Sequence, residues 1–106
     1  MTAGRKRKAV QTASKWVTTD EEERVLRRER AEEEPMRVRP LSPRVDVFQD
    51  YEVGRTDVPD AVPYTVELRS LVEPVNSCTC PDFRKSFLGT CKHIERVLMG
   101  ARRPKR

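Results

Sequence analysis

Cys78-Thr79-Cys80-Pro81-Asp82-Phe83-Arg84-Lys85-Ser86-Phe87-Leu88-Gly89-Thr90-Cys91-Lys92-His93 holds all three cysteines of the 106-residue chain and its only histidine. The spacing is C-x-C, ten residues, C-x-H. Thiolate sulfur with imidazole nitrogen is a donor set that selects zinc in tetrahedral geometry. In an extended strand, residues i and i+2 face the same way, so Cys78 and Cys80 can aim at one ion from a strand end. On a helix, i and i+2 lie about 200° apart. Cys91 is therefore expected just before a helix and His93 in its first turn. Four protein ligands fill a tetrahedron and leave no place for water, so one structural zinc ion, not a catalytic one, is expected.

Composition points to the same need for a metal. Apolar residues make up 36% of the chain and charged residues 37%, a thin supply of core. Small domains of this kind rely on a disulfide, a metal or a partner. Three cysteines cannot complete an intramolecular disulfide framework. No apolar run resembles a secretory signal or a membrane span, so a cytoplasmic setting is expected, nucleoid-associated in a bacterium or nuclear in a eukaryote. In a reducing compartment, clustered cysteines read as metal ligands or redox groups. No thioredoxin-like βαβ pattern surrounds the C-x-C, which disfavours redox chemistry. A Cys–His nucleophile lacks a third orienting group. No phosphate loop of the form G-x-x-x-x-G-K-[S/T] is present. The expectation is a protein that is not an enzyme and takes no small-molecule substrate.

The net charge of +5 is unevenly spread. Residues 1–34 carry nine Lys/Arg and eight Asp/Glu, residues 35–77 five and seven, and residues 78–106 eight and two. The positive excess thus sits on the metal segment, which suits either an anionic partner such as nucleic acid or solubility alone.

Working outward, residues 92–102 read as a helix, with Ile94, Val97 and Leu98 forming an apolar stripe. Phe83 and Phe87 are expected to pack over the metal and this stripe, the alternative being that they stack on nucleobases. A further acceptor is expected for the second ring nitrogen of His93. Residues 64–72 alternate as a strand, with Tyr64, Val66 and Leu68 on one side. Pro74 and Asn76 mark a turn, and 75–79 return as a second strand. Residues 44–53 alternate with a change of phase at Phe48, a bulge or a turn.

The N-terminal part reads differently. Thr19 and Glu22 form a capping box for a charged helix over 20–34, which Pro35 ends. Glu23 and Arg27 are an i,i+4 pair. This helix is expected to be solvated or to belong to a larger body. Pro35, Pro40 and Pro43 make 35–43 an extended linker. The basic tract Arg5–Lys8 lies in an expected disordered tail; it reads either as solvated or as a phosphate contact or nuclear signal. The fold expected is a small α+β unit: a zinc-stabilised antiparallel hairpin or sheet followed by a helix, with a separate charged helix and a basic tail. The expected divisions are 1–19, 20–43 and 44–103.

The ligands Cys78, Cys80, Cys91 and His93, with the surrounding text C-T-C-P-D-F and L-G-T-C-K-H-I-E-R-V-L, resemble the SWIM-type zinc finger. The likeness covers roughly residues 46–100 and is most like the N-terminal region of bacterial Swi/Snf-type helicases. It implies a hairpin-then-helix fold and a role in binding DNA or a protein partner. Together with the charge pattern, it implies phosphate contacts at Arg84, Lys85, Lys92, Arg96, Arg102, Arg103, Lys105 and Arg106. The chain lacks a motor, so it is either part of, or partner to, a helicase, or a stand-alone finger. The alternative function is a protein–protein interaction adaptor without nucleic-acid affinity.

Overall fold

A computed structural model describes residues 19–43 and 45–103. The first helix, α1, spans Asp20–Glu33. Thr19 accepts from the Glu22 backbone N–H, and Glu22 returns the bond to the Thr19 N–H, completing the capping box expected from sequence. Four acidic residues in the first turn suit the positive end of the helix dipole. Glu34 is already extended (φ −81°, ψ 132°), as steric conflict with Pro35 requires.

Where a linker was expected, Met36–Pro40 forms strand β1. It pairs antiparallel with β2 (Asp50–Arg55), which pairs with β3 (Tyr64–Glu67), and that with β4 (Ser77–Cys78). The sheet order is β1-β2-β3-β4. Prolines hid β1, yet both are placed where a strand tolerates them. Pro35 lies outside it. Pro40 stands opposite Tyr51 and beside the Leu41 N–H to Asp50 carbonyl bond, so it takes the alternate position whose N–H points away from β2. No ladder bond is lost, and the missing donor blunts an edge.

The change of phase at Phe48 is a turn. Asp46 accepts from the Phe48 N–H, and the Tyr51 hydroxyl donates to the Val47 carbonyl. The strand read as 64–72 stops at Glu67. Beyond Leu68, buried Asn76 accepts from the Arg69 and Ser70 N–H groups and donates to the Ser70 carbonyl, pulling the backbone out of the ladder.

Two helices follow. Residues Pro81–Ser86 form α2, and Lys92–Ala101 form α3. Ile94, Val97 and Leu98 are buried, as their spacing predicts, in one cluster with Met36, Val53 and Val66 of the sheet and Leu68 just past β3. Helix α3 touches all four strands on this face. Each fully buried aliphatic side chain here contributes roughly 1.5–3 kcal/mol.

The charged helix α1 packs along α3. Ala31 and Arg27 face inward. Arg96 of α3 donates to the carbonyls of Ala31 and Glu34 at 2.7 and 2.9 Å and to that of Met36 at 3.3 Å. It satisfies carbonyls that the end of α1 leaves without helical partners. Too few apolar residues mark α1 as buried because its docking is largely polar. The division at residue 44 therefore cuts through one packed body. The tail over 1–18 lies outside the described residues. No helix among the described residues is long and apolar enough to cross a membrane.

Candidate metal centre

Cys78 ends β4, opposite Val66. Two residues on, Cys80 is extended (φ −72°, ψ 155°) and serves as N-cap of α2, its sulfur accepting from the Phe83 N–H at 3.4 Å. Pro81 opens α2 at a position where a missing N–H costs nothing. Gly89, at φ +78°, turns the chain back. Cys91 is the extended N-cap of α3, and His93 is in the first turn. The helix-geometry expectation holds at both positions.

The four side chains are buried, and their ligand atoms lie within 4.8 Å of one another. His93 Nδ1 is 3.8 Å from the sulfurs of both Cys78 and Cys91. A tetrahedral zinc ion with bonds near 2.3 Å to sulfur and 2.0–2.1 Å to nitrogen has edges of about 3.6–3.8 Å. The donor set fits a single zinc ion, with Nδ1 as the nitrogen ligand. The backbone N–H aimed at Cys80 Sγ supports a thiolate there.

The sulfurs compete for ionisation. Hydrogen bonds from the Cys78 and Cys91 thiols hold the Cys80 thiol far below its ordinary range. The same bond to Cys80, with burial, pushes Cys78 up to about 11. Cys91 is raised by its bonds to Cys78 and Cys80 and by its own burial. Without a cation the cavity favours a single thiolate; a divalent ion supplies the charge that ionises the others.

Comparison with known proteins leaves the site to speak for itself. No family model, curated protein or solved structure matches the chain.

Several residues that sequence reasoning missed support the centre. The Tyr64 ring lies 4.9 Å from that of His93, tilted by 48°, and fixes the imidazole's attitude. Its signal was the shared face with Val66, the partner of Cys78. The loop between ligands is tied to α1: Arg27 forks onto Asp82 at 2.7 and 3.1 Å while also binding Glu23, and Arg24 donates to the Leu88 carbonyl. Thr90 donates to buried Glu95 at 2.5 Å.

The basic residues divide into two groups. Lys92 is 2.6 Å from Glu34, Arg96 binds backbone carbonyls, and Arg102 donates to the Leu71 carbonyl. These three are engaged within the fold, where the sequence offers them only as candidate phosphate contacts. Arg84, Lys85 and Arg103 are exposed and carry no ion pair or side-chain hydrogen bond among the described residues. Lys105 and Arg106 lie outside the described residues. The two phenylalanines also divide. Phe83 packs on the core, but Phe87 is 90% exposed. The expectation that both cover the metal fails for Phe87 because the backbone turns left-handed there (φ 58°).

Proposed function

We propose that this chain is a non-enzymatic zinc module of the SWIM type whose basic face binds nucleic acid, DNA in the first instance. The observation that carries the zinc part is the buried Cys78–Cys80–Cys91–His93 cluster, whose ligand atoms all lie within 4.8 Å of one another. Zinc there joins β4, α2 and α3, a structural role without a coordination site for substrate. What supports nucleic acid is the local charge. Between residues 78 and 103 the acids are Asp82 and Glu95 alone. Asp82 is paired with the Arg27 cation, and Glu95 is buried under the Thr90 hydroxyl, so no exposed, unpaired carboxylate of this segment faces Arg84, Lys85 and Arg103.

The role of each group follows. The cysteines and His93 hold the ion, Tyr64 orients His93, and Arg27 fixes Asp82 so that α2 keeps its outward face basic. Arg84, Lys85 and Arg103 contact phosphates. The test is a titration of the zinc-loaded protein with duplex and single-stranded DNA at two salt concentrations. Binding that weakens steeply with salt is expected; no salt-sensitive binding to either would overturn the nucleic-acid reading.

A protein-docking adaptor, for a helicase or another partner, is the second reading. Exposed Val72 and Val75, on the turn before β4, favour it. A pull-down with and without nuclease separates the two: a protein partner retained after nuclease treatment supports the adaptor.

A further inference from the structure

Phe87 is out of place by two ordinary criteria. It is the C-cap of α2 in the left-handed region (φ 58°, ψ 24°). That conformation suits glycine or asparagine at helix ends and is uncommon for a bulky side chain. Nor does burial compensate, since the residue is 90% exposed. Neither backbone preference nor packing accounts for a phenylalanine here.

Its surroundings are specific. Arg84 and Lys85, three and two residues earlier, are exposed and have no acidic partner among the described residues. The one acid of α2, Asp82, is held by Arg27. The platform is firm: α2 begins at the ligand Cys80, its first turn donates to that sulfur, and Phe83 packs on the core. An aromatic face is thus presented to solvent beside two free cations, on a segment anchored at the metal.

We infer that this tip is a stacking site for an unpaired nucleobase, with Arg84 and Lys85 on the flanking phosphates. The ligand class is single-stranded nucleic acid, and the inference rests on the nucleic-acid reading above, which it sharpens. In a duplex, both faces of an internal base are already stacked, so a protruding ring has nothing to lie on. In a single strand every base has a free face, and cations beside an aromatic ring match the alternation of phosphate and base.

The experiment uses the zinc-loaded full chain and three probes: a homopyrimidine DNA oligonucleotide of about 12 nucleotides, the same strand with abasic sites, and a duplex. Phe87→Ala is expected to weaken binding to the intact strand about tenfold and to leave the abasic strand and the duplex unchanged. Phe87→Leu keeps apolar volume without the aromatic face and should lose as much; Phe87→Trp should restore binding. Arg84→Ala with Lys85→Ala should reduce the salt slope by about 1–2 for every probe. Zinc content and circular dichroism check that each variant stays folded. Equal loss on abasic and intact strands, or wild-type affinity for the single strand in Phe87→Ala, overturns the stacking site while salt-sensitive binding keeps the broader reading. Wild-type affinity of Phe87→Leu for the intact strand shows that apolar volume suffices without an aromatic face and overturns the inference. No binding to any probe overturns both.

Discussion

Replacing Arg27 by alanine tests whether the N-terminal helix is an integral part of the metal-site fold. Arg27 is almost fully buried and forks onto Asp82 at 2.7 and 3.1 Å. With charge centres about 4 Å apart and an effective dielectric near 20, the attraction is about 4 kcal/mol. The Asp82 side chain is 40% exposed, which admits water to one side of the pair. Solvent screening and partial rehydration of a lone carboxylate reduce the expected coupling to roughly 1.5–2 kcal/mol. Arg27→Ala also loses the buried stem and the bond to Glu23, so its total cost should be about 3 kcal/mol. Asp82→Asn alone should cost less, because the amide oxygen of the variant side chain still accepts one bond. The assay is urea unfolding of the zinc-saturated protein for wild type, both single variants and the double variant. A double-mutant coupling below about 0.5 kcal/mol, with α1 helicity unchanged in Arg27→Ala, would refute the claim that this pair docks α1 onto the metal loop.

Three further outcomes follow from the geometry. Thr19→Ala removes one half of the capping box and should lower stability by about 1 kcal/mol, read by urea unfolding. Gly89→Ala puts a Cβ 3.2 Å from Pro74 Cβ at φ +78° and should cost about 1–2 kcal/mol in thermal unfolding, whereas Gly100→Ala meets nothing within 4 Å and should stabilise slightly. Zinc affinity should rise with pH. The raised pKa values of Cys78, at about 11, and of Cys91 mean that these thiols hold their protons near neutrality until the metal displaces them. Each displaced proton adds about tenfold per pH unit, so two give roughly a hundredfold between competition titrations about one unit apart; a flat profile contradicts protonated Cys78 and Cys91 thiols.

The candidate metal ligands were legible because their geometry is local. Cys78 at a strand end with Cys80 two extended residues on, and Cys91 and His93 about a helix start, obey periodicities that need no knowledge of the rest of the chain. The apolar stripe of α3 and the alternation of Tyr64, Val66 and Leu68 were readable for the same reason. What escaped depends on distant partners. Strand β1 looks like a linker because of its prolines, and only its register against β2 shows that Pro40 faces outward. Helix α1 looks solvated because its inward face carries Arg27 as well as Ala31; a charged residue is assigned to solvent unless its partner is known, and Asp82 is 55 residues away. The basic residues near the metal could not be sorted into structural and free ones by sequence, since Arg96 and Lys92 are set by carbonyls and a carboxylate on α1. Phe87 was misplaced because the left-handed turn that ejects it has no signature in a phenylalanine.

The pairing of α1 with α3 bears on how the protein is made. Arg96 reaches carbonyls 62 and 65 residues earlier in the chain, so α1 leaves the ribosome well before the segment that holds it. Chains emerge at about 5–20 residues per second, which leaves α1 without its docking surface for several seconds. During that interval the helix rests on its own devices: the capping box, the acidic first turn and the Glu23–Arg27 pair. Those local features, which also stabilise the finished fold, are what a nascent chain needs while it waits for the cysteines to arrive.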